Sequence, residues 1–336
     1  MKKLINKPED FVDEMLEGLY AAHPNYVRPV AGIPRALVTV RKKDGKVAIA
    51  TGGGSGHLPL FLGYVGDGML DGCSVGGVFQ SPSADDMLAV TTEIDSGAGV
   101  LYIFGNYNGD IFNFKMAADM ADMEHDIRVE SVIAGEDVAS GPQAGPGEKN
   151  LRRGVAGIFF IYKTAGAAAA EMLPLDEVRR IAEKAAANVR TMGVALTACI
   201  VPRVGRPSFE IAEDEMEIGM GIHGEPGIRR GKLLTADEVI DEILPSIVAD
   251  LPYGRGDEVA VLINGLGGTP IEEQYIIFRK VHELLNQYGI EIYRTYVGEY
   301  ATSLEMAGVS VSLLKLDGEL KRLLDKPADT PFFKQF

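Results

Sequence analysis

Short, continuous apolar runs along the chain end in glycine-rich turns, and these lead into stretches where apolar residues recur at helical spacing. Val47-Ala48-Ile49-Ala50-Thr51 runs into Gly52-Gly53-Gly54-Ser55-Gly56-His57. Gly99 to Phe104 runs into Gly105-Asn106-Tyr107-Asn108-Gly109-Asp110, followed by an amphipathic stretch from Ile111 to Met123. An apolar run bounded by turn residues is the pattern of a buried strand. Arg128 to Ala134 reads as another strand, and Val259 to Ile263, ending at Asn264-Gly265-Leu266-Gly267-Gly268, as a further one. Thr269-Pro270-Ile271-Glu272 predicts a helix start, with Thr269 as N-cap, Pro270 at the first position and Glu272 closing a capping box. That helix runs to about Tyr288 and stops at Gly289. Ala156 to Met172 predicts a buried helix, Glu177 to Met192 a more charged one, and Gly193 to Val201 a strand.

Buried strands alternating with helices predict an α/β protein, whose ligands gather at the carboxyl ends of the strands. The expectation is two α/β domains, residues 1–190 and 191–336, each a mixed or parallel sheet flanked by helices, with the border between about 185 and 195. The polar, Gly- and Pro-rich stretch Gly135 to Gly154, with Glu148-Lys149 in it, reads as a long working or mobile loop.

Composition narrows the partners. The chain has 336 residues, 46% hydrophobic and 24% charged, which excludes disorder, collagen and coiled coil. Its formal charge of −15 opposes nucleic acid and anionic membrane surfaces. No apolar run is long enough to span a bilayer, and Met1-Lys2-Lys3-Leu4 is followed by polar residues where a signal sequence would be apolar. Cys73 and Cys199 are too few for a disulfide framework or a zinc site. A soluble, cytoplasmic protein is expected. Its 40 glycines, without a repeat period, imply tight turns and close backbone approaches.

Of the five histidines, His125 and His282 read as helix-surface residues, and His23 precedes Pro24 in an early loop. His57 closes a glycine cluster at a strand's carboxyl end, where backbone N–H groups and a side chain can meet a ligand, although a plain chain reversal explains the glycines equally well. The cluster has neither the Lys-Ser/Thr ending of a P-loop nor clean dinucleotide spacing. Asp110, before an amphipathic run, reads as an N-cap that can also face a ligand. His223 lies in Gly219-Met220-Gly221-Ile222-His223-Gly224-Glu225-Pro226-Gly227, a segment suited to neither helix nor strand, which crosses a tight space or holds an imidazole in a pocket. Glu213, Asp214, Glu215 and Glu217 before it read as a solvated loop, and with no further His or Cys nearby no metal is expected.

Taken in order, Gly52 to His57, Gly63 to Gly66, Phe79 to Pro82, Asn106-Tyr107 with Gly109-Asp110-Ile111 and Asn113-Phe114, Arg153 to Gly157, Gly219 to Gly227, Asn264 to Gly267, and Thr302 to Leu304 with Met306 to Gly308 resemble the substrate-binding subunit of the dihydroxyacetone kinase family. The likeness covers nearly the whole chain. It implies that a short ketose such as dihydroxyacetone is held as a covalent hemiaminal on His223, and that His57 and Asp110 form the acid–base pair acting on its terminal hydroxyl. Gly54, Ser55 and Gly56 would approach the substrate with backbone amides, and Gly105 lies at the family's substrate-contacting lysine position. It further implies a homodimer, no cofactor on this chain, and a partner subunit that carries ATP or ADP with magnesium or is fed by a phosphotransferase-system phosphoprotein.

Two positions depart from the dihydroxyacetone pattern. Leu58 replaces a glutamate after the loop histidine, and Gly105 replaces the lysine, which frees volume and resembles the branch acting on four-carbon ketoses such as erythrulose. Two other readings remain beside the kinase subunit: a ketose-sensing regulator that keeps the histidine trap, and an unrelated dinucleotide enzyme, disfavoured by the glycine spacing.

Overall fold

The computed structural model describes residues 2–336 apart from Ala144, Pro146, Gly147 and Lys149. Those four belong to the 135–154 connection, so that part of the long-loop reading lies outside the described residues.

After helix α1 (Phe11–Ala22), the first half forms strands β1 (Val27–Val30), β2 (Ile33–Thr39), β3 (Ala48–Ser55), β4 (Gly72–Val78), β5 (Val100–Gly105) and β6 (Val129–Ala134), with helices α2 (Ala84–Ile94) and α3 (Asn108–His125). They make one sheet in the order β1-β2-β4-β3-β5-β6. It is parallel from β4 through β3 and β5 to β6 and antiparallel at the β1–β2–β4 edge. Helices α4 (Ile158–Ala170) and α5 (Leu175–Asn188) follow. The second half contains β7 (Val189–Ala195), β8 (Glu215–Ile218), β9 (Arg229–Lys232), α6 (Ala236–Asp250), β10 (Glu258–Gly265), α7 (Ile271–Tyr288), β11 (Glu291–Gly298), β12 (Gly308–Leu316) and α8 (Gly318–Leu324). Its sheet has the order β11-β10-β12-β7-β8-β9, and only β10–β11 is parallel. Both sheets are therefore mixed, and the α/β expectation holds.

One apolar core joins the halves. Ile49 and Leu101 of the first sheet, Leu262 and Leu314 of the second, and Phe159 and Ile161 of α4 belong to the same buried cluster. Every residue of α4 from Ile158 to Ala169 is buried, as its apolar sequence, interrupted only by Lys163 and Thr164 between Tyr162 and Ala165, requires of a helix between two sheets. The last pair, β13 (Ala328–Asp329) with β14 (Lys334–Gln335), returns to the first half, where Asp329 bridges Asp67 and pairs with Arg41.

Several local expectations are corrected. Gly52 to Ser55 belong to β3 and pair in parallel with β4, instead of forming a turn. The first three are glycines because neighbours press on the strand: a Cβ on Gly53 would lie 2.2 Å from the Phe61 ring, and one on Gly54 2.7 Å from the Gln80 backbone nitrogen. Helix α3 starts at Asn108 behind Tyr107, so Asp110 lies in its first turn and is not the N-cap. Thr269 does not cap α7; its hydroxyl donates to the Gly308 carbonyl and accepts the Gly308 N–H, and the capping box occurs instead at Thr235 and Glu238 of α6. The strand placed at Gly193–Val201 is β7, which begins at Val189 directly after α5, because Val189 is already extended and the β-branched stretch that follows pairs with β12. Glu215 and Glu217, expected in a solvated loop, lie in β8, where Glu217 is buried, ion-paired with Arg230 and accepting the Gly227 N–H.

Candidate functional site

His57, Asp110 and His223 come from three elements and meet where the carboxyl ends of β3 and β5 face the second sheet. His57 follows β3, Asp110 opens α3 just after β5, and His223 occupies the long loop of the β8–β9 hairpin. The His57 and His223 rings pack edge to face with centroids 4.8 Å apart, and the Tyr107 ring lies at the same distance on His223. Phe79 stacks on His57 at 4.8 Å and touches His223 edge-on at 5.3 Å.

Backbone conformation holds this arrangement. Of the five non-glycine residues with positive φ among the described residues, Phe61 and Phe79 pack on the His57 ring and Leu304 lies against Gly56 beside it. The Leu304 N–H donates to the Gly56 carbonyl at 2.8 Å, and the Thr302 N–H to the His57 carbonyl at 3.2 Å. Non-glycine residues in this region cost on the order of 1–3 kcal/mol each and persist where surrounding contacts over-determine them.

His57 is 1% exposed, and its Nδ1 lies 2.7 Å from the Thr302 carbonyl oxygen. A carbonyl only accepts, so Nδ1 carries the proton. Burial, and then the neighbouring His223, pull the His57 pKa down to about 3. The ring is therefore neutral, with an unprotonated Nε2 that is buried and without a hydrogen-bond partner. Asp110 is also buried, hydrogen-bonded by Ser81, and pushed up to about 6 by burial, with Ser81 and His223 opposing the rise. Its Oδ1 likewise has no partner. A buried polar atom left unpaired costs about 1–3 kcal/mol, so two of them on residues packed around His223 make this a candidate ligand position.

The His223 loop is fastened to the first half. Arg153 donates to Asp137 at 2.9 Å and to the Gly219 carbonyl at 2.9 Å, while the Tyr107 hydroxyl donates to the Gly154 carbonyl at 2.9 Å. Nearby, buried Glu136 accepts the Val155 N–H, and burial pushes its carboxyl up to about 8.

Gly54 and Ser55 lie in β3 with Gly56 just beyond, and the Ser55 hydroxyl donates to the Gly76 carbonyl. Gly56 has φ +104°, and a Cβ there would meet the Phe79 ring at 2.9 Å. Gly105 does not open free volume as expected from the sequence: a Cβ there would lie 2.9 Å from the Tyr107 ring, which fills the adjoining space. Leu58 packs away from the three polar groups, lining an apolar cavity of about 200 Å³ with Phe11, Met15 and Leu304. Phe79, Tyr107, Arg153, Glu225 and Thr302 all lie in the recognisable sequence stretches. Nothing local gave Phe79, Tyr107, Arg153 and Thr302 roles, because each acts on a residue distant in sequence, whereas Glu225 stands two positions from the His223 that it contacts.

A buried imidazole, a half-buried one and a buried carboxyl with unpaired polar atoms, in a two-sheet α/β frame, make a candidate small-molecule site suited to nucleophilic and proton-transfer chemistry. The chain belongs to the Dak1 family, whose domain matches residues 17–332. It is 46% identical to the dihydroxyacetone-binding subunit of a phosphotransferase-system-dependent dihydroxyacetone kinase of Listeria innocua, over 99% of both chains. It is 43% identical to the D-erythrulose kinase of Mycolicibacterium smegmatis, spanning all of this chain and 57% of that one. The crystal structure of C. freundii dihydroxyacetone kinase with AMP-PNP and Mg2+ superposes with a TM-score of 0.90 at 32% identity, covering 99% of this chain and 61% of the other. No described helix is long and apolar enough to cross a membrane.

Proposed function

We propose that the chain is the substrate-binding subunit of a short-ketose kinase. It holds dihydroxyacetone covalently on His223 while a partner subunit, supplied by ATP or by a phosphotransferase-system phosphoprotein, delivers the phosphoryl group. The observation that carries this reading is the convergence of His57, Asp110 and His223 around two unpartnered buried atoms, His57 Nε2 and Asp110 Oδ1. The Nε2 of His223 adds to the ketone carbon, a reaction open to a ketose and closed to glycerol, so discrimination rests on reactivity more than on shape. The terminal hydroxyl of the captured ketose then lies between His57 and Asp110. His57 near 3 is a far weaker base than Asp110 near 6, a gap of roughly a thousandfold in proton affinity. Asp110 therefore takes the hydroxyl proton, and the bare Nε2 of His57 orients the O–H. The backbone of Gly54, Ser55 and Gly56 lines the approach. The same reading takes the chain to be a cytoplasmic homodimer.

Dihydroxyacetone is favoured over erythrulose because the Tyr107 ring takes up the room that a glycine at 105 was expected to leave. A ketose sensor has no proton to move, and buried Asp110, whose Oδ1 has no partner, favours the enzyme over that reading. The test is carbon NMR with carbonyl-labelled dihydroxyacetone and erythrulose on the intact chain, on His223→Ala and on Asp110→Asn. The intact chain should shift the ketone signal into the tetrahedral region, most readily with dihydroxyacetone, and His223→Ala should abolish the shift. Asp110→Asn should still capture the ketose but lose about 100- to 10,000-fold of turnover with the partner subunit. An adduct on His223→Ala overturns the trap, and normal turnover by Asp110→Asn removes the base.

A further inference from the structure

One carboxylate grips His223 at two points. Glu225 Oε1 lies 2.8 Å from His223 Nδ1, and Oε2 accepts the His223 backbone N–H at 3.0 Å. The loop is shaped to permit this. Gly221 has no side chain where a Cβ would lie 2.1 Å from Glu225 Oε2, Gly224 has φ +83°, and the Gly221 N–H donates to the Glu225 carbonyl at 3.1 Å. Burial works against charge on Glu225, but the hydrogen bond and charge of His223, with backbone N–H groups, hold its carboxyl down to about 2. It is a carboxylate at neutral pH and can only accept hydrogen bonds. Whenever the His223 ring carries a single proton, that proton is therefore on Nδ1 and the lone pair on Nε2. The ring plane is also fixed, because His57 and Tyr107 pack edge-on against it at 75° and 79°.

We propose that Glu225 is the positioning residue of His223, selecting Nε2 as the nucleophile and neutralising the ring as the ketose adduct forms. This rests on the ketose trap proposed above. In the addition step the Nε2 lone pair forms a bond to the carbonyl carbon, and the C=O π pair moves to oxygen. The product is a zwitterion, a cationic ring with an alkoxide. The alkoxide takes one proton from water and Nδ1 releases one to water through Glu225, so the neutral hemiaminal forms with no net change in protons. Until that release, the carboxylate at 2.8 Å balances the charge on the ring. An uncharged side chain at 225 leaves the zwitterion uncompensated in a half-buried site.

The experiment uses the full chain labelled with 15N in its histidines, with dihydroxyacetone labelled at the carbonyl carbon. Two-bond proton–nitrogen spectra of the free protein should show His223 with its proton on Nδ1, and adding the ketose should place the carbon signal in the tetrahedral region. Glu225→Gln keeps size and an acceptor but removes the charge; it should weaken capture at least tenfold. Glu225→Ala should also let the ring proton distribute over both nitrogens. Glu225→Asp restores the carboxylate and should recover capture relative to Glu225→Gln, which separates charge from packing should the alanine variant not fold. Folded Glu225→Gln and Glu225→Ala proteins that capture the ketose with unaltered affinity and tautomer overturn this inference alone. An intact protein that forms no adduct overturns the trap and this inference together.

Discussion

Asp110 carries a proton affinity that an aspartate in water does not have, and its position explains why. Asp110 is buried in the first turn of α3, where burial outweighs the Ser81 hydrogen bond and the nearby His223. Burial favours the neutral form of a carboxyl and of an imidazole alike, so the same enclosure raises Asp110 and lowers His57. Only ionised Asp110 can accept the hydroxyl proton. Turnover with the partner subunit should therefore be level above about pH 6 and fall about tenfold per unit below it. A profile that stays flat down to pH 5 would remove Asp110 from that role. The chemistry-bearing residue types were legible in the sequence, since His57, Asp110 and His223 each stand in glycine-rich context at an element end. Their proton affinities were not, because burial and the approach of a second ring are tertiary facts.

At the scale of elements, glycine has two different meanings in this chain. Gly54 lies in β3 under the turn at Phe79 and Gln80, and the atoms that a Cβ would strike at 2.7 and 2.8 Å belong to backbone, which cannot swing aside. Gly18 lies exposed in α1 with nothing within 4 Å of a Cβ. Gly54→Ala should lower stability by about 1–3 kcal/mol through overpacking, and Gly18→Ala should raise it by about 0.5–1 kcal/mol through helix propensity. Urea unfolding midpoints decide the matter, and a Gly54→Ala protein as stable as the parent refutes the packing account. Element positions were readable where local chemistry ends them, as at Gly289, which closes α7 in the left-handed conformation. They were missed where the boundary has no side-chain signal: α3 begins behind Tyr107, which makes no capping bond, and α5 passes into β7 without a glycine or proline.

The whole molecule is organised around α4, and this helix carries a lysine in the shared core. Lys163 is fully buried, and its Nζ donates to the Leu323 carbonyl at 3.2 Å. Burial, and then the positive charge of Arg294, bring its pKa down to about 8, with Asp325 opposing. The unfolded chain keeps that proton to about 10.5. Between about pH 8 and 10.5 the unfolded state binds more protons, so this residue's penalty is full below pH 8 and fades as pH rises. Lys163→Met fills similar volume, and the Leu323 carbonyl still accepts the Lys326 N–H. The substitution should stabilise the protein by about 1–3 kcal/mol at pH 7, with a smaller gain at pH 10. Chemical denaturation at the two pH values checks this, and a less stable Lys163→Met protein at pH 7 sinks it.

Sequence alone determined the α/β class, the principal strands and helices, the three residues that meet at the candidate site, and the family stretches that carry them. Each is written locally, in apolar runs, turn glycines and short motifs whose spacing does not depend on distant contacts. Tertiary structure decided what those residues can do. Packing the β8–β9 hairpin over the first sheet brings His223 to His57, and the Thr302 carbonyl, 245 residues from His57, fixes which of that ring's nitrogens is bare. It also turned expected glycine turns into strand and filled the space beside Gly105 with Tyr107. Such outcomes depend on which surfaces meet when two sheets close on a common core, and local sequence does not encode that meeting.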